Sequence, residues 1–130
     1  MDLAQYFDKA KGVGVLGTAD LQGKVDLAIY ARPHIIDDQT VAFIMRDHLS
    51  HAYVAANPHA AYLFIEQGQG YSGLRMYLTR TMEETDPKKI QALRRRSRGD
   101  EDPANTNVFL VYFRVDEVRP LVGSSAPAWR

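Results

Sequence analysis

The densest run of reactive side chains is Phe43 to His51, Phe-Ile-Met-Arg-Asp-His-Leu-Ser-His. An apolar strand ends there, a turn carries Arg46 and His48, and a short helix is predicted to open with Ser50 and His51 in its first turn. Guanidinium, imidazole, hydroxyl and the unpaired N–H groups of a helix start together form a nest suited to a phosphate monoester. The same residues equally describe a capped helix with solvated charges, and this segment alone leaves both readings open.

Other chemistry is sparse. Among the four histidines, His34, His48, His51 and His59, the pair His48 and His51 stand three apart, a spacing that can chelate. The carboxylates nearby are Asp37, Asp38 and Asp47, and a convincing third and fourth ligand is missing, so no metal is expected. Gly12-Val13-Gly14 and Gly68-Gln69-Gly70 resemble pieces of phosphate loops, but neither leads into a helix, which favours flexible hairpins. No dinucleotide fingerprint, Gly-Lys-Ser/Thr loop or His-Glu-x-x-His occurs. The basic run Arg94-Arg95-Arg96 with Arg98 is offset by Asp100, Glu101 and Asp102, and fits a helix C-terminus better than a nucleic-acid contact.

The elements that must hold these residues follow from periodicity. Leu3, Tyr6, Phe7 and Ala10 share a helical face, with Asp2 as N-cap and Gly12 as the stop, predicting a short plugging helix over 2–11. A strand over Val13–Thr18 turns at Asp20–Lys24 into a second over Val25–Ala31, with Val25, Leu27, Ile29 and Ala31 on one face and Asp26, Ala28, Tyr30 and Arg32 on the other. Pro33 bends or restarts that strand at His34–Ile36, and Val41–Met45 is a continuously apolar strand. Leu49–Asn57 reads as a helix ended by Pro58, because the residue before proline avoids helical angles. Strands follow over Ala60–Ile65, Leu74–Met82 and Val108–Val115, with a helix from Asp86-Pro87 to Arg96, a polar loop over Asp100–Asn107 and an extended tail from Pro120. Most of the aromatics Tyr62, Phe64, Tyr77, Phe109, Tyr112 and Phe113 are expected to fill the interior. The connections between the first strands are too short for crossover helices, so the sheet is predicted antiparallel.

The chain of 130 residues fits one domain over 1–130, with 45% apolar and 25% charged residues. With 16 basic and 16 acidic side chains the charge balances, giving no general attraction to nucleic acid or acidic membranes. The absence of cysteine excludes disulfides, thiolate metal sites and cysteine nucleophiles. No stretch has the pattern of a secretory signal or the length of a membrane span, and a cytoplasmic location is the expectation.

From Val13 to Val115 the sequence resembles the pyridoxamine 5′-phosphate oxidase-like family of FMN-binding split β-barrels. The matching pieces are Gly14–Ala19, Gly23-Lys24-Val25-Asp26, Asp38–Phe43, Ser50-His51 ahead of Asn57–Phe64, and Gly73–Tyr77. The resemblance implies a mainly β, α+β fold: a six-stranded antiparallel split barrel with short peripheral helices, paired as a homodimer with FMN in the clefts between subunits. Carried over onto this chain, it assigns Tyr30, Ala31 and Arg32 to the flavin ring side, Ile44, Met45 and Arg46 to the strand end and turn, Ser50 and His51 to the helix start, and Arg75 to the position after the glycine loop. Arg32, Arg46, Ser50 and His51 are then the phosphate candidates. Met45 stands where the family commonly has threonine, and His51 where it has lysine, which holds a dianion more firmly near neutral pH.

The implied function is a flavin-dependent oxidoreductase acting on a small-molecule substrate or electron acceptor near Tyr71, Arg75 and the partner's Trp129. Such an enzyme needs no dedicated side-chain acid or base, because the cofactor carries the electron chemistry. The alternatives are a flavin carrier without turnover and a flavin-free barrel binding another molecule such as haem, with His34, His48 or His51 as axial ligand.

Overall fold

A computed structural model describes residues 2–96 and 108–123, the side chains of 94–96 excepted. Asp2 caps helix α1 (Leu3–Lys9) by accepting a hydrogen bond from the Gln5 backbone at 3.1 Å. The helix ends two residues before the predicted boundary, at an extended Ala10. Gly12, expected as the helix stop, instead opens strand β1 (Gly12–Ala19), where a side chain would stand 1.9 Å from the Ile65 carbonyl oxygen.

Six further strands and two helices complete the described chain. These are β2 (Val25–Ile29), β3 (His34–Asp37), β4 (Thr40–Arg46), α2 (Leu49–Ala56), β5 (His59–Glu66), β6 (Gly73–Glu84), α3 (Pro87–Arg96) and β7 (Val108–Pro120). All strands join one antiparallel sheet in the order β2-β1-β5-β6-β7-β4-β3. The expectation of six strands is corrected to seven. Residues 30–33 do not merely bend a strand; they carry the chain from one edge of the sheet to the other, so His34 begins a separate strand on β4. The five Cα–Cα steps from Ile29 to His34 reach only about 17 Å, so the two edges must approach one another and the sheet curls into a barrel with a gap. Bulges between Tyr77 and Leu78 and between Arg80 and Met82 bend the long β6–β7 pair to allow that curl.

The interior is a single cluster of alternate residues from the strands, among them Leu16, Phe43, Met45, Tyr62, Phe64, Leu74, Met76 and Phe113. The alternation along the strands thus places Tyr62, Phe64 and Phe113 inside, each contributing roughly 2–3 kcal/mol of burial. Leu3 and Phe7 of α1 plug the barrel near the Glu66 end of β5, where Tyr6 donates to Glu66, and Val54 of α2 closes the His59 end. A smaller cluster on the other face of β4 and β7 joins Ala42, Leu110 and Val108 to Ile90 of α3. This is why β4 reads as unbroken apolar sequence: both of its faces are covered. Asp86 starts α3 as predicted, accepting from the Lys88 backbone at 2.9 Å. The polar loop and most of the tail, including Arg98 and Trp129, lie outside the described residues.

Candidate functional site

The β2–β3 crossover and the start of α2 enclose a cavity of about 520 Å³, within the range of small-molecule sites. One wall is the chain from Asp26 to Arg32, and the opposite wall is Phe43, Ile44 and Val108. Arg46, His48, Leu49 and Ser50 form its polar end, and His34 lines it as well.

The crossover wall is held from inside the barrel. Tyr62 donates its hydroxyl hydrogen between the carbonyls of Tyr30 and Ala31, at 3.2 and 3.1 Å. Gly14 makes room for this contact: a β-carbon there would lie 1.9 Å from the Tyr62 hydroxyl and 2.5 Å from the Tyr30 carbonyl oxygen. Arg32 donates to the carbonyls of Phe7 and Ala10 at 2.7 and 2.9 Å, tying the crossover to the end of α1. Those carbonyls are left over at a helix C-terminus, where a cation is favoured.

At the polar end, His48 is the N-cap of α2 but its side chain makes no capping bond. The first-turn N–H groups of α2 therefore remain available beside Arg46, whose guanidinium is exposed and makes no hydrogen bond or ion pair among the described residues. Ser50 is buried, and its hydroxyl donates to Asp26 at 3.3 Å. Burial pushes the Tyr30 hydroxyl pKa up and the Asp26 charge adds to that, while a hydrogen bond with Ser50 acts in the opposite direction. Tyr30 is thus a neutral donor near neutral pH, set edge-on to Phe43 with ring centres 5.8 Å apart.

Of the residues singled out from sequence, Tyr30, Ala31, Arg32, Ile44, Arg46 and Ser50 all border this cavity. Three do not. Met45, on the same face of β4 as Phe43, is fully buried in the barrel core and does not reach the cavity. His51 stacks flat on Phe109, with ring centres 3.8 Å apart, and bonds Glu83 at 2.5 Å. Arg75 donates to the carbonyls of Pro120 and Gly123 at 2.9 and 2.6 Å, fastening the end of β7. Tyr71 is largely exposed on the β5–β6 loop. Sequence reasoning missed Asp26, Leu27, Ala28, Ile29, Phe43, Leu49 and Val108 as cavity residues, while His48, read as part of the phosphate nest, and His34, read as a candidate haem ligand, both line it. The usable signal was the face of β2: Thr18 pairs with Asp26 and Leu16 with Ala28, and both β1 residues are interior, so Asp26, Ala28 and Tyr30 turn inward.

The consequence is an inverted strand. Val25, Leu27 and Ile29 face outward and are 78, 74 and 73% exposed. Leu27 and Ile29 also line the cavity, so its rim on this side is apolar surface without cover in the single chain. No group of three or more metal-binding side chains is found among the described residues. No helix among them is long and apolar enough to cross a membrane.

No protein-family model matches the sequence, and no curated protein does. Solved structures do match. An FMN-binding protein from Syntrophomonas wolfei superposes with a TM-score of 0.74 at 13% identity, covering 92% of this chain and 83% of that one. A Clostridium acetobutylicum protein of the pyridoxinephosphate oxidase family, related to general stress protein 26, gives 0.64 at 12% identity, over 90% of this chain and 84% of that one. A heme-binding protein from Mycobacterium smegmatis gives 0.61 at 16% identity, over 92% of this chain but 52% of that one. The resemblance read from the sequence is therefore present in the fold: the structural neighbours are pyridoxamine 5′-phosphate oxidase-like split barrels.

Proposed function

We propose that this chain binds FMN in the cavity between the β2–β3 crossover and α2, and works as a homodimeric flavin-dependent oxidoreductase on a small-molecule substrate or electron acceptor. The observation that carries the reading is the cavity's division into an apolar slot and a cationic end. Phe43, Ile44 and Val108 suit a flat ring system, and Arg46, His48 and the free N–H groups of α2 suit a terminal phosphate. The donor set therefore fits the cofactor. When bound, FMN would supply the electron-transfer chemistry.

The chain's own residues bind, orient and exclude water. The backbone from Tyr30 to Arg32, fixed by Tyr62 and by the Arg32 bonds to α1, offers a rigid edge against the ring. Tyr30 can present a neutral hydroxyl inside the slot. Arg46 is the principal phosphate partner in this reading, because Arg32 and His51 already have protein partners. A second copy of the chain seated on Val25, Leu27 and Ile29 would bury the apolar rim and cover the open side of the cavity.

A haem-binding reading has one specific support: His48 borders the same cavity, placing an imidazole on its wall, and His34 lines it as well. A visible absorption spectrum of the untreated protein, with mass identification of whatever denaturation releases, separates the two. Blue-absorbing flavin peaks and released FMN are the expected result. A Soret band supports the second reading and overturns the first.

A further inference from the structure

The anion corner of the cavity already contains an anion. Asp26 turns inward from β2, and its carboxylate accepts from Ser50 at 3.3 Å. Ser50 is only 4% exposed and is the second residue of α2, so this carboxylate lies at the first turn of the helix that the phosphate reading needs. No cation neutralises it among the described residues: Arg32 is given to the carbonyls of Phe7 and Ala10, and His51 to Glu83. Its cross-strand neighbour Thr18 is buried with a hydroxyl that has no partner among the described residues, so nothing from β1 draws the carboxylate away from Ser50.

We propose that Asp26 is the charge selector of this cavity: it claims the Ser50 hydroxyl and the positive end of α2 for itself, and so holds down the affinity for ligands that end in a phosphate. This rests on the proposed flavin site for the ligand's identity, but the selector acts on any phosphate entering the corner. Its consequence is specificity. Arg46 and His48 pull a phosphate in while Asp26 resists it, so the chain distinguishes FMN from unphosphorylated riboflavin by less than its cations alone would provide. For scale, a unit charge and a dianion roughly 6 Å apart in water repel enough to weaken association by a factor of about ten.

Asp26→Asn tests this, because the amide keeps the shape and can still accept from Ser50 while the charge is gone. Wild type and variant are titrated with FMN and riboflavin by flavin fluorescence, and their melting temperatures are followed in inorganic phosphate against chloride at matched ionic strength. The variant is expected to bind FMN about tenfold more tightly and riboflavin within about twofold of wild type, and to gain more stabilisation from phosphate. An unchanged ratio of FMN to riboflavin affinity overturns the proposal, as does weaker FMN binding in the variant. If neither protein binds either flavin, the flavin reading fails, and the phosphate arm alone decides: a larger phosphate stabilisation in the variant upholds the selector, and an equal one removes it. Asp26→Ala serves in the same arms should the asparagine variant not fold.

Discussion

Replacing Tyr62 by phenylalanine removes one oxygen atom from the centre of the barrel and should loosen a wall of the cavity some residues away in sequence. The ring is fully buried and packs against Phe43 with centres 5.0 Å apart, contacts that phenylalanine keeps. Only the bonds to the Tyr30 and Ala31 carbonyls, at 3.2 and 3.1 Å, are lost. Burial raises the Tyr62 pKa well above the usual range, so the hydroxyl is a donor throughout ordinary working pH. A shared neutral hydrogen bond contributes about 1 kcal/mol, and a carbonyl left dry adds to the loss, giving about 1.5 kcal/mol in all. For a domain of this size that lowers Tm by about 4–8 °C. Urea and thermal melts of wild type and Tyr62→Phe, with Tyr53→Phe as a control whose hydroxyl has no partner among the described residues, measure the free-energy loss and the Tm shift. Gly14→Ala strikes the same contact from the other side and should cost about 3 kcal/mol, less than additively with Tyr62→Phe. A Tyr62→Phe protein whose stability lies within about 0.3 kcal/mol of wild type would refute the claim that this hydroxyl anchors the crossover.

Arg46→Ala should weaken FMN binding by about tenfold while leaving urea stability within about 0.5 kcal/mol, since this side chain touches no described partner; fluorescence titration and a melt check the two halves. If the proposed homodimer forms through the exposed apolar face of β2, light scattering should find wild type dimeric and the Leu27→Asp, Ile29→Asp double variant monomeric at the same concentration; a monomeric wild type refutes the dimer. Burial pushes the Asp116 carboxyl up, but bonds from Thr79 and Arg114 outweigh it and hold the group below the usual carboxylate range. A depressed folded pKa gives stability that is present above the unfolded pKa of about 3.9 and lost as pH falls through the folded value. Asp116→Asn should therefore melt below wild type at neutral pH, and the two Tm curves should converge in acid.

Local signals carried most of the fold. Pro58 and Pro87 fixed one helix end and one helix start, and the alternation of Leu74, Met76 and Leu78 marked the inner face of β6. Residues 30–33 were harder to read, because a chain crossing between sheet edges and a strand bent at a proline share the same local composition. That ambiguity accounts for the seventh strand. The candidate cavity was legible through the strand-turn-helix pattern and the family resemblance at Tyr30–Arg32, Ile44, Arg46 and Ser50, which line it. It was not legible where a long side chain had a choice of partners. Nothing local tells that Arg32 reaches back to α1, that His51 lies on Phe109, or that Arg75 turns to the carbonyls after β7. On β2 the usual rule inverts, and apolar Leu27 and Ile29 face outward while Asp26 faces in.

The central claim is that a cavity with an apolar slot and a cationic end accepts a flavin phosphate. Equilibrium titration of the cofactor-free protein with FMN, followed by quenching of flavin fluorescence, meets that claim directly. Saturation at one FMN per chain with a Kd of about 10 μM or lower is the predicted result. Flavin fluorescence that stays unquenched to about 1 mM protein would contradict it.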